Sequence, residues 1–344
     1  MTTCDFAAEV DVWSKEQSGY AMRLSMMLIL LGITRCSSWG NFWQQETPAA
    51  LTYSMLSNQS IAMSPLFPTL TTPLSYQLVS GGGTLDASSG VYSPGAFTGT
   101  STVRATDAAA RTATGTVIVT TYSAMTLAEP GLVFYFRMGE ASGNISNSVV
   151  ADTATAGGST ITYSQAGAIT GDANTAIAVN GGYFTTTASV NLSGQNVSVD
   201  VWVKRQVTGA FHTVFSHGTN TTGNGMHLAI SNTNVLRYSL YGVDLDSPTA
   251  SETDITAYHH YVVTYEAAAT KRTIYKDGVE ITSVNSPAYG YASPSSFRFG
   301  DYIWSAGGGP LNGVIDEMTI YVGSVLTPAQ VLRHYRAGKG MLFN

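Results

Sequence analysis

Two histidines, His259 and His260, stand side by side in the stretch YHHYVVTY at 258–265. Neighbouring residues on a strand face opposite ways, so this pair cannot chelate one ion together. Each reads as a strand residue with one hydrogen bond. Carboxylates are the other source of chemistry. Calcium takes carboxylate and carbonyl oxygens from loops and strand ends, and Asp316, Asn180 and Asp301 are the candidate ligands. Asp316 falls on the apolar face of its strand, where a buried carboxylate needs a cation or donors; Arg298 or Arg137 could supply these in place of a metal. Its neighbour Glu317 is expected to point the opposite way. No G-x-S-x-G, H-E-x-x-H, Walker A or Rossmann glycine pattern occurs.

The elements that would hold these groups are strands. Residues 197–204 (VSVDVWVK) alternate cleanly, four valines on one face and Ser198, Asp200, Trp202 and Lys204 on the other. Residues 272–281 form a hairpin around Asp277-Gly278, a type I′ signal. Between 314 and 322 apolar residues dominate, with Val314, Met318, Ile320 and Val322 expected on one face together with Asp316. A helix follows. Thr327 can cap it, Pro328 suits its first position and Gln330 can close a capping box; Leu326 and Val331 are spaced as a hydrophobic staple, and Gly338 is a stop. Residues 49–123 read as short strands broken by Gly, Pro and Ser. Ser101, Val103 and Ala105 oppose Thr102, Arg104 and Thr106, and the β-branched run 116–120 suits a buried strand. Asp86 and Asp107 read as turn carboxylates.

Composition agrees with strands and polar turns: 11% charged residues, 35 Gly and 19 Tyr. The net charge is −6, with no Lys/Arg run, which argues against nucleic-acid binding. Cys4 and Cys36 both precede the expected folded region, so no disulfide and no cysteine metal site is expected in it.

The order GVIDEMTIY, then LTPAQVLRHYR, resembles the closing stretch of laminin-G-like, concanavalin A-like jelly rolls of bacterial surface and secreted proteins. LVFYFRMGEASG at 132–143, AIAVNGGYF at 176–184, YHHYVVTY and FRFG at 297–300 resemble further strands of that family. YQLVSGGGTLDASSGVY followed by TSTVRATD resembles bacterial immunoglobulin-like repeats. The fold expected is all-β: leader and linker at 1–48, a small Ig-like β-sandwich at 49–123, and a jelly roll at 127–344 with a short C-terminal helix.

The resemblance implies a structural or ligand-bridging calcium and a ligand held on an exposed sheet face or end loops. Trp202, Tyr238, Tyr241 and Trp304 are the aromatic candidates and Asp244 and Asp246 the polar ones. Trp202 reads equally as a stacking platform or as packing under a loop. The expected partner is a glycan or a cell-surface protein, held without catalysis by a module that the Ig-like repeat spaces from the cell. An alternative is a structural subunit of a surface layer, fibre or appendage, joined by self-assembly through sandwich edges. A glycoside hydrolase is the less favoured reading. Some members of the jelly-roll class carry E-x-D-x-x-E; Glu252-Thr253-Asp254 is the nearest match, but Ala257 fills the third place.

Residues 24–33 (LSMMLILLGI) behind Arg23 suit the apolar region of an export signal starting at Met22, which places the protein outside the cell or on its surface. Cys36 stands where a lipoprotein's modified cysteine would, although Arg35 departs from the small residue such a site uses; peripheral membrane association is expected only if it is lipidated.

Overall fold

The computed structural model describes residues 51–344, within the compact unit Ala49–Asn344. The leader-like run, Met22, Cys4, Cys36 and the linker lie outside the described residues.

The first lobe contains β1 (Thr52–Leu56), β2 (Ile61–Ala62), β3 (Leu74–Ser80), β4 (Thr84–Leu85), β5 (Val91–Ser93), β6 (Gly99–Asp107) and β7 (Thr112–Thr120). One sheet has the order β1-β7-β6-β3, with β1 parallel to β7; β2, β5 and β4 form a second. Met55, Phe67, Tyr76, Tyr92, Val103 and Val117 fill the core of this lobe. Ser101, Val103 and Ala105 point inward as their alternation requires. The run 116–120 is only half buried: Val117 and Val119 face the core, but Ile118 is 42% exposed, because the sheet covers one side only. Asp86 accepts from the amides of Ser88 and Ser89, and Asp107 from those of Ala109 and Arg111, so both organise turns. A short helix, α1 (Tyr122–Leu127), follows, capped by Thr121, whose hydroxyl accepts from the Ala124 amide at 3.0 Å.

The second lobe is a jelly roll with its helices at one side. It begins with β8 (Leu132–Phe136), β9 (Ile145–Ser146), β10 (Thr153–Ala166), β11 (Thr175–Thr186), β12 (Val197–Arg205), β13 (His212–Gly218) and β14 (Gly225–Ile230). It continues through β15 (Leu236–Leu240), β16 (Asp244–Asp246), β17 (His259–Glu266), β18 (Lys271–Lys276), β19 (Val279–Asn285), β20 (Phe297–Phe299) and β21 (Asn312–Val322) to α2 (Pro328–Gly338). The hydrogen-bonded order is β16-β15-β14-β13-β20-β11-β21-β12-β17-β18-β19, with β8 beside β21 and β10 beside β11. The ribbon folds over on itself so that its ends, β16 and β19, approach and the sheet nearly closes. Between the halves lies one apolar core, to which β12 contributes Val197, Val199, Val201 and Val203. The hairpin turn is left-handed at both Asp277 (φ 51) and Gly278 (φ 81), as type I′ requires.

The alternation expected to run unbroken through β21 is interrupted. Trp202 pairs with Asp316 but Asp200 with Thr319, so β21 carries one extra residue, a bulge at Glu317 (φ 49). The bulge changes phase. Ile315 before it and Met318 and Ile320 after it face the core, while Val314 packs outside with Ala176 and Ala178. Asp316 therefore leaves the core side, and Asp316 and Glu317 stand as like-charged neighbours instead of opposing ones. The helix starts as the sequence dictates. Thr327 and Gln330 form a reciprocal capping box, and Leu326 and Val331 are both buried in one cluster.

Candidate functional site

Each half of the sandwich has an outward face, and the two differ. One, built on β12, β17 and β21, is covered by α1, α2 and the first lobe. The other, the open face on β13 to β16, lies under no helix among the described residues; the residues of β13 and β14 are buried, and the loop over them carries an aromatic row.

On the open face Phe211, Tyr302, Trp304 and Tyr241 follow one another with ring centroids 6.0, 4.9 and 5.8 Å apart. Tyr302 and Trp304 are stacked at 24°, and Tyr241 meets Trp304 edge-on at 89°. All four rings are half-buried. His227 lies beneath, edge-on to Tyr302 at 5.1 Å and to Trp304 at 5.7 Å; burial pushes its pKa down to about 4, so it is neutral. β-Strand alternation explains the grouping. Met226, Leu228, Leu236 and Leu240 turn inward, which sends His227, Arg237 and Ser239 out. Beside the row Arg237 grips Asp246 with two parallel bonds of 2.7 and 2.8 Å and reaches Asp244 at 2.8 Å. The Ser239 hydroxyl donates to Asp244 at 2.6 Å. The site is thus aromatic, with one stacked pair between two tilted rings, and edged by hydrogen-bonding groups.

Four devices position it. Asp301, 1% exposed, accepts from the amides of Tyr302 (2.8 Å), Gly307 (2.5 Å) and Gly309 (3.3 Å) and so shapes the loop that presents Tyr302 and Trp304. Arg298 lies 4.0 Å over the Tyr183 ring and donates to the Tyr302 carbonyl at 3.0 Å. Gly225 lets the indole come down onto β14: a Cβ there would stand 3.0 Å from Trp304 and 2.3 Å from the Thr219 carbonyl. Inside the sandwich Arg272 crosses from β18 to donate to the carbonyls of Tyr238 (2.9 Å) and Val243 (2.7 Å), which fixes the turn between β15 and β16.

Of the residues expected to contact ligand, Tyr241, Trp304, Asp244 and Asp246 come together here. Tyr238 does not: it is 1% exposed in the core, its ring 5.6 Å from the Arg272 guanidinium. Nor does Trp202, which is 0% exposed beneath α2. Its indole N–H donates to Tyr122 at 3.0 Å, Tyr335 stacks on it at 6.1 Å, and Gly338 lies so close that a Cβ would come within 2.3 Å of the ring. As a stacking platform Trp202 is unreachable, because the sheet face it shares is the covered one. Sequence reasoning missed Tyr302, His227 and Arg237. The alternation of β15 placed Arg237 on the face of the two aspartates, and that signal was available.

The three candidate calcium ligands do not converge. Asp301 is filled by backbone amides. Asn180 is exposed opposite Asn312, and Asp316 stands four residues, roughly 13 Å, further along β21. Asp316 accepts from the amides of Ala168 (2.7 Å) and Glu317 (3.0 Å); burial and the charge of Glu317 push its pKa well up. Arg137 serves Glu317 (3.0 Å) and Asp172 (2.7 Å), and Tyr135 donates to Glu317; burial outweighs Arg137, leaving Glu317 at about 7.

The covered face holds a second polar cluster. Asp200 accepts from His260 Nε2 at 2.8 Å and from His334 Nδ1 at 2.6 Å, and His334 Nε2 reaches Glu129 at 3.2 Å. Gln330 and Arg333 also donate to Glu129. Burial alone would lower the pKa of His334, but its bonds to Asp200 and Glu129 prevail and push it to about 9. Glu129, against its own burial, is held at about 2 by His334 and Gln330. Asp200, His260 and His334 bring one ligand atom each within 4.8 Å of one another, a spacing that a divalent ion could use. Both Asp200 oxygens are taken up by histidine N–H groups, so here the cluster is a hydrogen-bonded bolt between β12, β17, α2 and the segment after α1. The histidine pair behaves as strand residues: His259 bonds Asp277 at 2.8 Å on one side and His260 bonds Asp200 on the other. Glu252 is buried, ion-paired with Lys276 at 2.8 Å and bonded by Tyr261, whereas Asp254 is an exposed turn residue serving Thr256.

Residues 178–332 match the family model described as the concanavalin A-like lectin/glucanases superfamily. The architecture around that stretch is accordingly a concanavalin A-like jelly roll. Among solved structures, domain 4 of an extracellular GH43 arabinanase from Geobacillus stearothermophilus, in complex with arabinotriose, is 21% identical with a TM-score of 0.46, covering 60% of this chain and 99% of that one. Trypanosoma rangeli sialidase in complex with sialic acid is 13% identical with a TM-score of 0.46, covering 60% of this chain and 32% of that one. A heptameric SAP-like pentraxin from Limulus polyphemus is 14% identical with a TM-score of 0.38, covering 46% of this chain and 76% of that one. A search of curated proteins gives no match. Among the described residues no helix is long and apolar enough to cross a membrane.

Proposed function

We propose that this is a non-enzymatic recognition protein that holds a glycan on the open face of its jelly roll. The row Phe211–Tyr302–Trp304–Tyr241 carries the proposal. Sugar rings present flat C–H surface to aromatic faces, and their hydroxyls need paired donors and acceptors like those of Arg237, Asp244, Asp246 and Ser239. The lectin and glucanase family description supports the same class of ligand. Both acids of the open face are ion-paired with Arg237 and Glu252 with Lys276, which supports holding a ligand over cleaving a glycosidic bond at these acids. The first lobe, two small sheets around one core, is read as an Ig-like spacer. Export and surface display rest on the leader-like sequence at 24–33.

The test is a glycan array probed with the whole chain, with and without calcium, and repeated with Trp304→Ala and Trp202→Ala. Binding is expected to fall more than about tenfold with Trp304→Ala, the size of losing one stacked aromatic contact, and to survive in folded Trp202→Ala protein. Silence across the array in both conditions sinks the proposal.

A second reading, self-assembly through sheet edges, is favoured by exposed valines on edge strands: Val79 (50%) on β3 and Val279 (61%) on β19. Size-exclusion chromatography over a range of concentrations separates the two, because an obligate assembly does not run as a monomer.

A further inference from the structure

We propose that the edge of β1 is a peptide-accepting site, occupied in cis by the segment after α2, and that this segment locks the first lobe to the jelly roll. β1 is an outer strand of its sheet, with only β7 on its other side, so its free edge can take one more strand. Phe343 takes that place. It exchanges two backbone hydrogen bonds with Ser54, N–H of Ser54 to its carbonyl at 2.6 Å and its own N–H to the Ser54 carbonyl at 2.9 Å, the closed pair of an antiparallel ladder.

The side chains follow the period of two. Leu342 packs against the core of the first lobe. Phe343, 2% exposed, turns the other way into a socket made by Leu56 of β1, Tyr122 of α1, Ile169, Trp202 of β12 and Ala337 of α2. One extended dipeptide thereby touches two cores. The approach is also specified. Gly340 (φ 70) turns the chain out of the helix, where its amide bonds the Ala337 carbonyl at 3.0 Å. Beside it the Thr170 amide donates to the Gly338 carbonyl at 2.9 Å, and Gln59 of the first lobe donates to the Thr170 carbonyl at 2.6 Å. The ligand class the edge accepts is therefore an extended peptide with adjacent apolar side chains facing opposite sides, the second of them aromatic, bound by strand addition.

The experiment compares the full chain with a chain ending at Gly340, reading amide hydrogen exchange at Ser54 and Val199. Loss of the segment is expected to raise exchange at Ser54 at least about tenfold while Val199 in the jelly-roll core keeps its protection. A synthetic peptide of residues 339–344 is expected to restore Ser54 protection saturably in the shortened chain, to leave the full chain unchanged, and to fail when it carries Phe343→Ser. Unchanged exchange at Ser54, or equal peptide binding by both chains, overturns the proposal. If the shortened chain does not fold, full-length Phe343→Ala gives the same readout: a rise at Ser54 with Val199 steady is expected, and an equal rise in both lobes overturns it.

Discussion

The bolt on the covered face makes a pH prediction whose sign follows from the residues. His334 has a folded pKa of about 9 against an ordinary 6.5, so its protonated form is favoured by folding. A raised histidine contributes stability that is fully present below pH 6.5 and lost as pH rises through about 9. At about 1.4 kcal/mol for each pKa unit, the contribution is about 3 kcal/mol at pH 6, of which about 2 kcal/mol remains at pH 7.5. Other buried groups bend the same curve and must be separated. Glu317, raised to about 7, loses its contribution between pH 4.5 and 7. The buried tyrosines Tyr122 and Tyr321, raised above 10.0, lose theirs only above pH 10. Asp316, also raised by its burial and the charge of Glu317, is shared by wild type and His334→Gln, so the difference between the two proteins from pH 7 to 9.5 isolates His334. Urea unfolding of the wild type and of His334→Gln across that window is the assay. The wild type is expected to lose stability with a slope approaching 1.4 kcal/mol per pH unit, and the difference between the two proteins to shrink toward pH 9.5. A difference that stays constant with pH would refute the idea that His334 is held as a buried cation between Asp200 and Glu129.

Other outcomes follow from single contacts. Gly338→Val should destabilise by about 1–3 kcal/mol, because its side chain meets the Trp202 ring; thermal melts check this, and glycan binding should persist in the folded fraction. Arg272→Met leaves the carbonyls of Tyr238 and Val243 without their buried donor, so it should cost about 1–3 kcal/mol and weaken binding at Tyr241 and Asp244, read by urea unfolding and calorimetry. Asp301→Ala removes the acceptor of three loop amides and should speed hydrogen exchange at Gly307 and Gly309 while the strand amides of β13 keep their protection. Gly225→Ala should displace the Trp304 ring, detectable as a shift in tryptophan fluorescence accompanied by weaker glycan binding.

Much of the scaffold was legible locally. The valines of β12, the Asp277-Gly278 turn and the Thr327–Gln330 capping box are short-range signals, and each element stands where its residues put it. The face a strand presents was legible too, except where a bulge intervened: nothing in IDEMTIY announces that Glu317 will adopt a positive φ and shift the phase. What lay outside the sequence was which face would be covered. Trp202, on β12, and Tyr241, in the turn after β15, both lie off the core side of the sheet, yet one lies under a helix and the other meets solvent. That choice is made by α1, α2 and the first lobe, through contacts between residues eighty to two hundred positions apart. The role of His334 was hidden for the same reason, since its partners Asp200 and Glu129 are distant in the chain.

The burial of Trp202 has a consequence for how such a protein can be cut or shuffled. A chain divided at the joint between the lobes would strip Tyr122 from the indole and the β1 edge from Phe343, and bare an oily, hydrogen-bond-hungry surface in their place. The joint thus resists modular exchange, and the two lobes are expected to travel through evolution, and through the bench, as a single inherited piece.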